Sequence, residues 1–231
     1  MKRNAIILLA TVSLLAACKK DEAVPVDLGT SHFPTRVGHW VEYAVDSAWL
    51  DQENNIQGAL SYPLRELLES DFTDPEGRPA QRILRQVKDS LGNWTPKDVW
   101  WQVVNSQRAE RAEENLRKIK MVFPVRDWQE WNTNAYNTED PLELTYEEID
   151  VPWSANGLSF DSTSLVVTTY VNNYIDTIRY HERYARHVGL VYQRRDISRT
   201  QRYDLDQDGF YETIRTRGTY LTMTVTAYGD N

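Results

Sequence analysis

A few stretches of this sequence carry residues whose types and spacing could do chemistry. The sharpest is Asp204-Leu205-Asp206-Gln207-Asp208-Gly209-Phe210-Tyr211-Glu212. Carboxylates at alternate positions ahead of a glycine suit Ca²⁺, which takes about six to eight hard oxygens around a tight turn. Asp204, Asp206 and Asp208 would fill the first, third and fifth places of such a loop, with Gly209 at the sixth and Glu212 at the ninth. The twelfth place, where a bidentate Glu is expected, is Arg215. The stretch therefore reads first as an Asp-Gly hairpin turn before the next strand, and second as a Ca²⁺ loop, the only cofactor the sequence suggests.

Other constellations are thinner. His181-Glu182-Arg183-Tyr184-Ala185-Arg186-His187 has the residue types of a zinc-protease helix. That chemistry needs two histidines four apart on one helical face; here they are six apart in a segment that reads as a solvated strand. There is no Gly-x-Ser-x-Gly elbow and no phosphate loop ending in Gly-Lys-Ser or Gly-Lys-Thr. Glu147 and Glu148 point to opposite faces of a strand, so they do not form a catalytic pair. Trp128, Trp131, Tyr136 and Trp153, among Asn132, Asn134 and Asn137, have the makings of a sugar-stacking platform. Such residues more commonly close a β core. No catalytic residue is assigned, and the expectation is a non-enzymatic protein.

Stepping outward to composition, the 231 residues include 26 Lys+Arg against 34 Asp+Glu, for a net charge of −8, and a single cysteine. The acidic balance argues against a general nucleic-acid binder, and one cysteine excludes an internal disulfide framework. Charge is also segregated. From Asp127 to Ile178 there is no Lys, Arg or His, and Arg179, Arg183, Arg186, Arg194, Arg195, Arg199 and Arg202 follow directly. Cross-strand pairing of the two blocks within one sheet is preferred here over an acidic face set beside a basic one.

The elements that must position these residues are strands. Val41, Tyr43, Val45, Ser47 and Trp49 alternate with Glu42, Ala44 and Asp46, the period of a half-buried strand. Similar runs recur at 60–72, 81–90, 97–105, 116–123, 143–151, 164–172, 175–186, 190–197 and 211–228, separated by Asn, Gly, Asp and Pro turns. Residues 107–120 have helical propensity but no helical apolar stripe. Two strands turning near Glu114-Asn115 are favoured, with a short helix as rival. The fold expected is mainly β: one antiparallel meander over 32–231, as a curved sheet, half-barrel or sandwich.

The N-terminus assigns the compartment. Met1-Lys2-Arg3-Asn4 is basic, 5–17 is mostly apolar, and Leu15-Ala16-Ala17-Cys18 ends it, which fits a secretory signal over 1–17. Leu-Ala-Ala-Cys resembles a bacterial lipobox, implying diacylglycerol and palmitate-type acylation on Cys18 and a membrane as partner. Loss of Lys2 and Arg3 with the signal takes the net charge from −8 to −10. Residues 18–31 read as lipidated cysteine and tether. Lys19-Lys20-Asp21-Glu22 resembles a surface-export signal of Bacteroidota-type lipoproteins, and the absence of Asp after Cys18 implies the outer membrane.

Phe33-Pro34-Thr35-Arg36-Val37-Gly38-His39-Trp40 with Tyr43, Phe123-Pro124-Val125 with Trp131 to Asn137, and Tyr184 to Val191 resemble signatures of uncharacterised Bacteroidota-type lipoproteins. The resemblance covers nearly the whole mature chain. It implies a cell-envelope location and an antiparallel β fold, and no activity. Asp46-Ser47-Ala48, Asp89-Ser90-Leu91, Asp161-Ser162-Thr163 and Asp176-Thr177-Ile178 resemble the O-glycosylation triplet of exported proteins of that type, which would modify Ser47, Ser90, Ser162 and Thr177; Asx turns are the other reading.

The functional expectation is a lipid-anchored, non-catalytic β domain that binds an envelope protein or a glycan or lipid ligand. The alternatives are a structural or accessory subunit and a glycan-active enzyme. A carrier should enclose an apolar cavity, an interaction module should have a filled core and an exposed aromatic patch, and an enzyme should converge ionisable groups in a cleft.

Overall fold

The structure is a computed structural model that describes residues 26–168, 171–172, 175–203, 207, 209 and 212–231. The strands are β1 (His39–Asp51), β2 (Ile56–Thr73), β3 (Pro79–Lys88), β4 (Trp94–Val104), β5 (Arg108–Glu113), β6 (Leu116–Val122), β7 (Glu130–Asn132), β8 (Glu143–Ala155), β9 (Leu158–Thr168), β10 (Val171–Asn172), β11 (Asp176–Ala185), β12 (Gly189–Tyr203) and β13 (Glu212–Asp230). Among the described residues there is no α-helix, only a 3₁₀ turn at Thr30–His32.

Local chemistry explains the hairpins. In β1, Val41, Tyr43 and Val45 are buried while Ala44 and Asp46 are exposed, so the period of two places one face inside. Glu114 and Asn115 both take positive φ, 49° and 65°, the backbone of a two-residue hairpin whose twist matches its strands. The helical propensity of 107–120 loses to that turn, because the pairing of β5 with β6 places Ala109 and Met121 in the core. Asn156 and Gly157, at 50° and 79°, do the same between β8 and β9.

The sheet order is β6-β5-β4-β3-β2-β1-β13-β12-β11-β9-β8-β7, with β10 on β11. It is a meander whose last strand returns beside its first, β1 running antiparallel to β13 over its full length. The two ends of the sheet then meet. Ile119 N donates to Thr133 O at 2.9 Å, and its carbonyl accepts from the Trp131 indole at 3.0 Å and the Thr133 hydroxyl at 2.9 Å. Tyr146 OH donates to Val122 O at 2.7 Å. The expected curved sheet is thus a nearly closed barrel, not a sandwich or half-barrel. The three residues of β7 carry no readable period, so this closure was invisible in sequence.

Phe33, Tyr43, Phe123, Trp131, Tyr146, Phe160, Tyr180 and Tyr184 are buried in the core, whereas Trp131 alone of the eight Trp is. Trp131 and Tyr146 pack with centroids 5.0 Å apart, and Phe33 and Tyr184 at 5.6 Å. Phe33 belongs to a strap, residues 28–36, that enters one end of the barrel. His187 N donates to Ser31 O at 2.7 Å, Val125 N to Leu28 O at 3.1 Å, and Gln102 Nε2 to Pro34 O at 2.7 Å. Residues 28–36 therefore plug that end, while β1, β2, β12 and β13 run on past the other.

Candidate functional site

Inside the barrel lies a network of charges. Tyr180, Glu182 and Tyr184 alternate along β11, so all three face inward. Across the interior stands Lys120, the extra residue of a bulge where Ala109 pairs Met121 and Glu110 pairs Ile119; a bulge of this kind re-aims a side chain. Lys120 Nζ donates to Glu182 at 2.6 Å, to Glu113 at 3.0 Å and to Tyr180 OH at 2.5 Å. Glu182, 0% exposed, also accepts from Tyr180, Tyr184 and Gln193, each at 2.6 Å. Beside it, Glu66 accepts from Arg85 at 3.1 Å and Arg111 at 3.0 Å, and Arg85 reaches Asp98 at 3.0 Å.

Electrostatics keeps Glu113 and Lys120 charged and the two tyrosines neutral. Burial alone would raise the Glu113 carboxyl, but Lys120, Arg111 and Lys118 outweigh it and hold it at about 2. Burial would lower the Lys120 ammonium, and Glu113 and Glu182 instead push it up. Burial, then Glu182, raises Tyr180 and Tyr184 well above the usual phenol range. Glu113, Lys120, Tyr180 and Tyr184 are thereby all moved away from neutrality, where general acid or base work is done. The interior hollow between Glu66, Arg111, Gln102 and the strap is about 30 Å³, so the closed part of the barrel is filled.

A second network lies on the outer face. Glu110 is covered by Arg117, Arg108 and Arg78, with Arg117 Nε at 2.6 Å and Arg78 Nη1 at 3.1 Å. Burial would raise this carboxyl; the three guanidiniums bring it to about 2. Both glutamates have folded pKa values below an ordinary 4.5. Their contribution to stability is full above about pH 4.5 and is lost as pH falls toward 2. Urea midpoints should be flat down to about pH 5 and then drop; a midpoint unchanged at pH 3 would contradict the assignment.

The end of the barrel away from the strap is open. Three hollows adjoin there, about 300, 450 and 350 Å³. Lys118, Glu139 and Arg195 line the first two, and Ile178 and Ile197 line the second and third. At the plugged end, a polar groove of about 800 Å³ runs between the strap, Asn105, His187 and Asp230. His39 lies there 3.0 Å from both Asp230 Oδ1 and Val188 O.

The residues singled out in the sequence disperse. Cys18 and Asp204, Asp206 and Asp208 lie outside the described residues, and Glu212 opens β13. Among the described residues no group of three or more His, Cys, Asp or Glu is arranged to hold a metal. Ser90 is exposed in an Asx turn in which Asp89 Oδ1 accepts from Leu91 N and Asn93 N. Ser47, Ser162 and Thr177 are half-buried in strands, and Ser162 donates to Asp150 at 2.5 Å.

The segment 181–187 is a strand and turn as expected, but it is not solvated: Glu182, Arg183 and Tyr184 are buried. The aromatic platform does not assemble. Trp131 is core, Trp153 packs on Phe160 at 6.1 Å, Tyr136 lies under Arg108 and Arg117, and Trp128 stands alone, 96% exposed. The charge blocks pair. Arg183 reaches Glu148 at 2.5 Å across β9, Arg186 meets Asp150 at 2.8 Å, and Arg199 meets Asp176 at 3.3 Å. Of the segments carrying the lipoprotein resemblance, 33–43, 123–125 and 184–191 meet at the plug, where Pro34 abuts Gly189 and Tyr43 OH donates to Leu190 O at 2.9 Å, while Thr133 and Asn134 line the 450 Å³ hollow at the other end.

The sequence reading did not single out Lys120 and Glu182 as an inner pair. The available signal was an acid flanked by Tyr180 and Tyr184 on one strand face.

No family model and no curated protein matches the chain. Among solved structures, it is similar to the crystal structure of a "putative lipoprotein" from Parabacteroides distasonis, at 12% identity and TM-score 0.38, over 86% of this chain and 98% of that one.

Proposed function

We propose that this protein is a lipid-anchored, non-catalytic binding protein of the bacterial cell envelope, held at its plugged end and presenting its open end away from the bilayer. The observation that carries the reading is this polarity. The strap that continues the Cys18 tether fills one end of the barrel and leaves a groove beside it, whereas the three hollows walled by Ile178, Ile197 and Leu221 adjoin at the other end. Seven residues lie between Cys18 and Val26, a reach of at most about 30 Å, so the plugged end stays near the headgroups.

Trp128 supports the same orientation. It stands out from the 124–129 loop, whose Val125 bonds the strap at Leu28. An amphipathic indole suits a membrane–water interface. Inner ionisable groups that are spent on one another favour a binder over an enzyme. Lys19-Lys20-Asp21-Glu22 supports the outer membrane and surface display.

Acylation of Cys18 is the test. In the native host, Cys18→Ala should abolish incorporation of labelled palmitate and move the protein from the membrane to the soluble fraction. Undiminished labelling, or retention on membranes after a salt wash, overturns the anchored reading.

A further inference from the structure

We propose that the open end binds a small amphipathic carboxylate, its anionic group on Arg195 and its aliphatic body along Ile178, Ile197 and Leu221. The proposal rests on the reading of that end as the binding end, and deepens it. Arg195 projects from β12 on the inner face, opposite Tyr180 on β11 and Leu221 on β13. It lines both the 300 and the 450 Å³ hollows and is half-buried.

The other cations facing this mouth are neutralised. Lys118 meets Glu139 at 3.1 Å, and Arg85 holds Glu66 and Asp98. Just below, Lys120 holds Glu113 and Glu182. Among the described residues no carboxylate lies within ion-pair distance of Arg195, whereas Arg194 and Arg199 on the same strand have theirs. A half-shielded guanidinium without a counter-ion is a site for an anion, and its planar fork suits a carboxylate.

The acids of the mouth do not offer the opposite site. Glu113 and Glu139 are taken by lysines, and Glu114 accepts from the Trp100 indole at 3.3 Å. Asp140 sits on the exposed rim. A cationic ligand would meet Arg195 first.

Past Arg195 the wall turns apolar. Ile197 follows two residues on along the same face, paired with Ile178 and Thr219, and Leu221 is paired with Ser47, which is followed on that face by Trp49. These side chains continue the inner face of the barrel beyond its closed part, where no opposing strand covers them among the described residues. A charged fork at the inner end and an aliphatic wall leading outward match a carboxylate on a hydrocarbon body of several carbons.

Titration calorimetry on the full chain carrying Cys18→Ala, free of its own acyl chains, tests this with octanoate and its neutral isostere octanamide. Octanoate should bind at least tenfold more tightly than octanamide. Arg195→Gln should weaken octanoate at least tenfold and leave octanamide unchanged, Arg195→Lys should restore part of the affinity, and Ile197→Asp should weaken both ligands. Urea midpoints of the Arg195 variants should match the parent, because among the described residues this arginine holds no ion pair.

The proposal is overturned if octanoate fails to bind, if octanamide binds as well, or if Arg195→Gln binds octanoate like the parent. Failure here alongside loss of palmitate labelling in Cys18→Ala would discard the ligand class and keep the anchored reading. Octanoate binding with undiminished labelling would do the reverse.

Discussion

Replacing Lys120 with Met should cost about 3–5 kcal/mol of folding stability, the expected penalty for stripping the partner from a buried charge. The ammonium is 1% exposed and sits among Glu113, Glu182 and Tyr180. Its removal leaves two carboxylates without their shared cation, Glu182 fully buried and Glu113 at the edge of the 300 Å³ hollow. Tyr180, Tyr184 and Gln193 still donate to Glu182, so hydrogen bonding survives while the charge does not. Equilibrium urea unfolding should show a lower midpoint with an unchanged slope.

Adding Glu182→Gln to Lys120→Met should recover part of the loss, because it removes one of the two orphaned charges. The double variant separates a charge effect from simple loss of packing by the lysine stem. A loss below about 1 kcal/mol in Lys120→Met, on the scale of an exposed pair, would show that solvent reaches this network. The network would then serve as an open site and not as a filled core.

The second large effect belongs to the strap. Phe33→Ala should destabilise the fold by about 3–5 kcal/mol, the usual range for deleting a buried ring. Phe33 is buried between Tyr184 and the Arg111 guanidinium, with centroid distances of 5.6 and 5.3 Å. It is also one of few strap side chains that reach the core, so its removal leaves 28–36 attached through hydrogen bonds at Leu28, Ser31 and Pro34.

Two consequences should follow. Amide exchange should rise first at His187 and Val125, whose N–H groups are held by the strap, before the central strands respond. Phe33→Leu, which keeps an apolar side chain in place, should lose much less. Equal losses for Ala and Leu, or unaltered exchange at His187, would mean that the strap is not a plug. The mutation also bears on the proposed function: a loosened plug would open the end that the proposed anchor would hold near the bilayer.

Most of the strand content was legible because a half-buried strand writes itself as alternation. Val41, Tyr43 and Val45 can be read directly, and the Glu114-Asn115 turn is legible because 107–120 carries no helical apolar stripe. The pairing of acidic and arginine blocks was likewise foreseeable, since opposite charges on neighbouring strands attract. The inner network was not. Lys120 reads as a solvent-facing lysine until the β5–β6 bulge turns it inward, and a bulge depends on how two strands meet, not on one strand's pattern.

Glu182 was misread for a related reason: an acid in an alternating strand is ordinarily exposed, and only partners from β6 and β12 make its burial tolerable. Closure of the barrel rests on three residues, Glu130–Asn132, and on side chains of Trp131, Thr133 and Tyr146 reaching β6. Nothing periodic marks so short a strand.

By itself, then, the sequence determined a β meander with its hairpin turns and an aromatic core, because those follow from side-chain alternation and local backbone preference, and it pointed to a cysteine anchor. Tertiary structure alone decided that the meander closes, that one end is plugged by the residues next to the tether, and which charges face each other inside. Among the described residues it also left Arg195 without a counter-ion at the open end. These are properties of residues far apart in the chain, set by strand register and by how desolvated charges find partners.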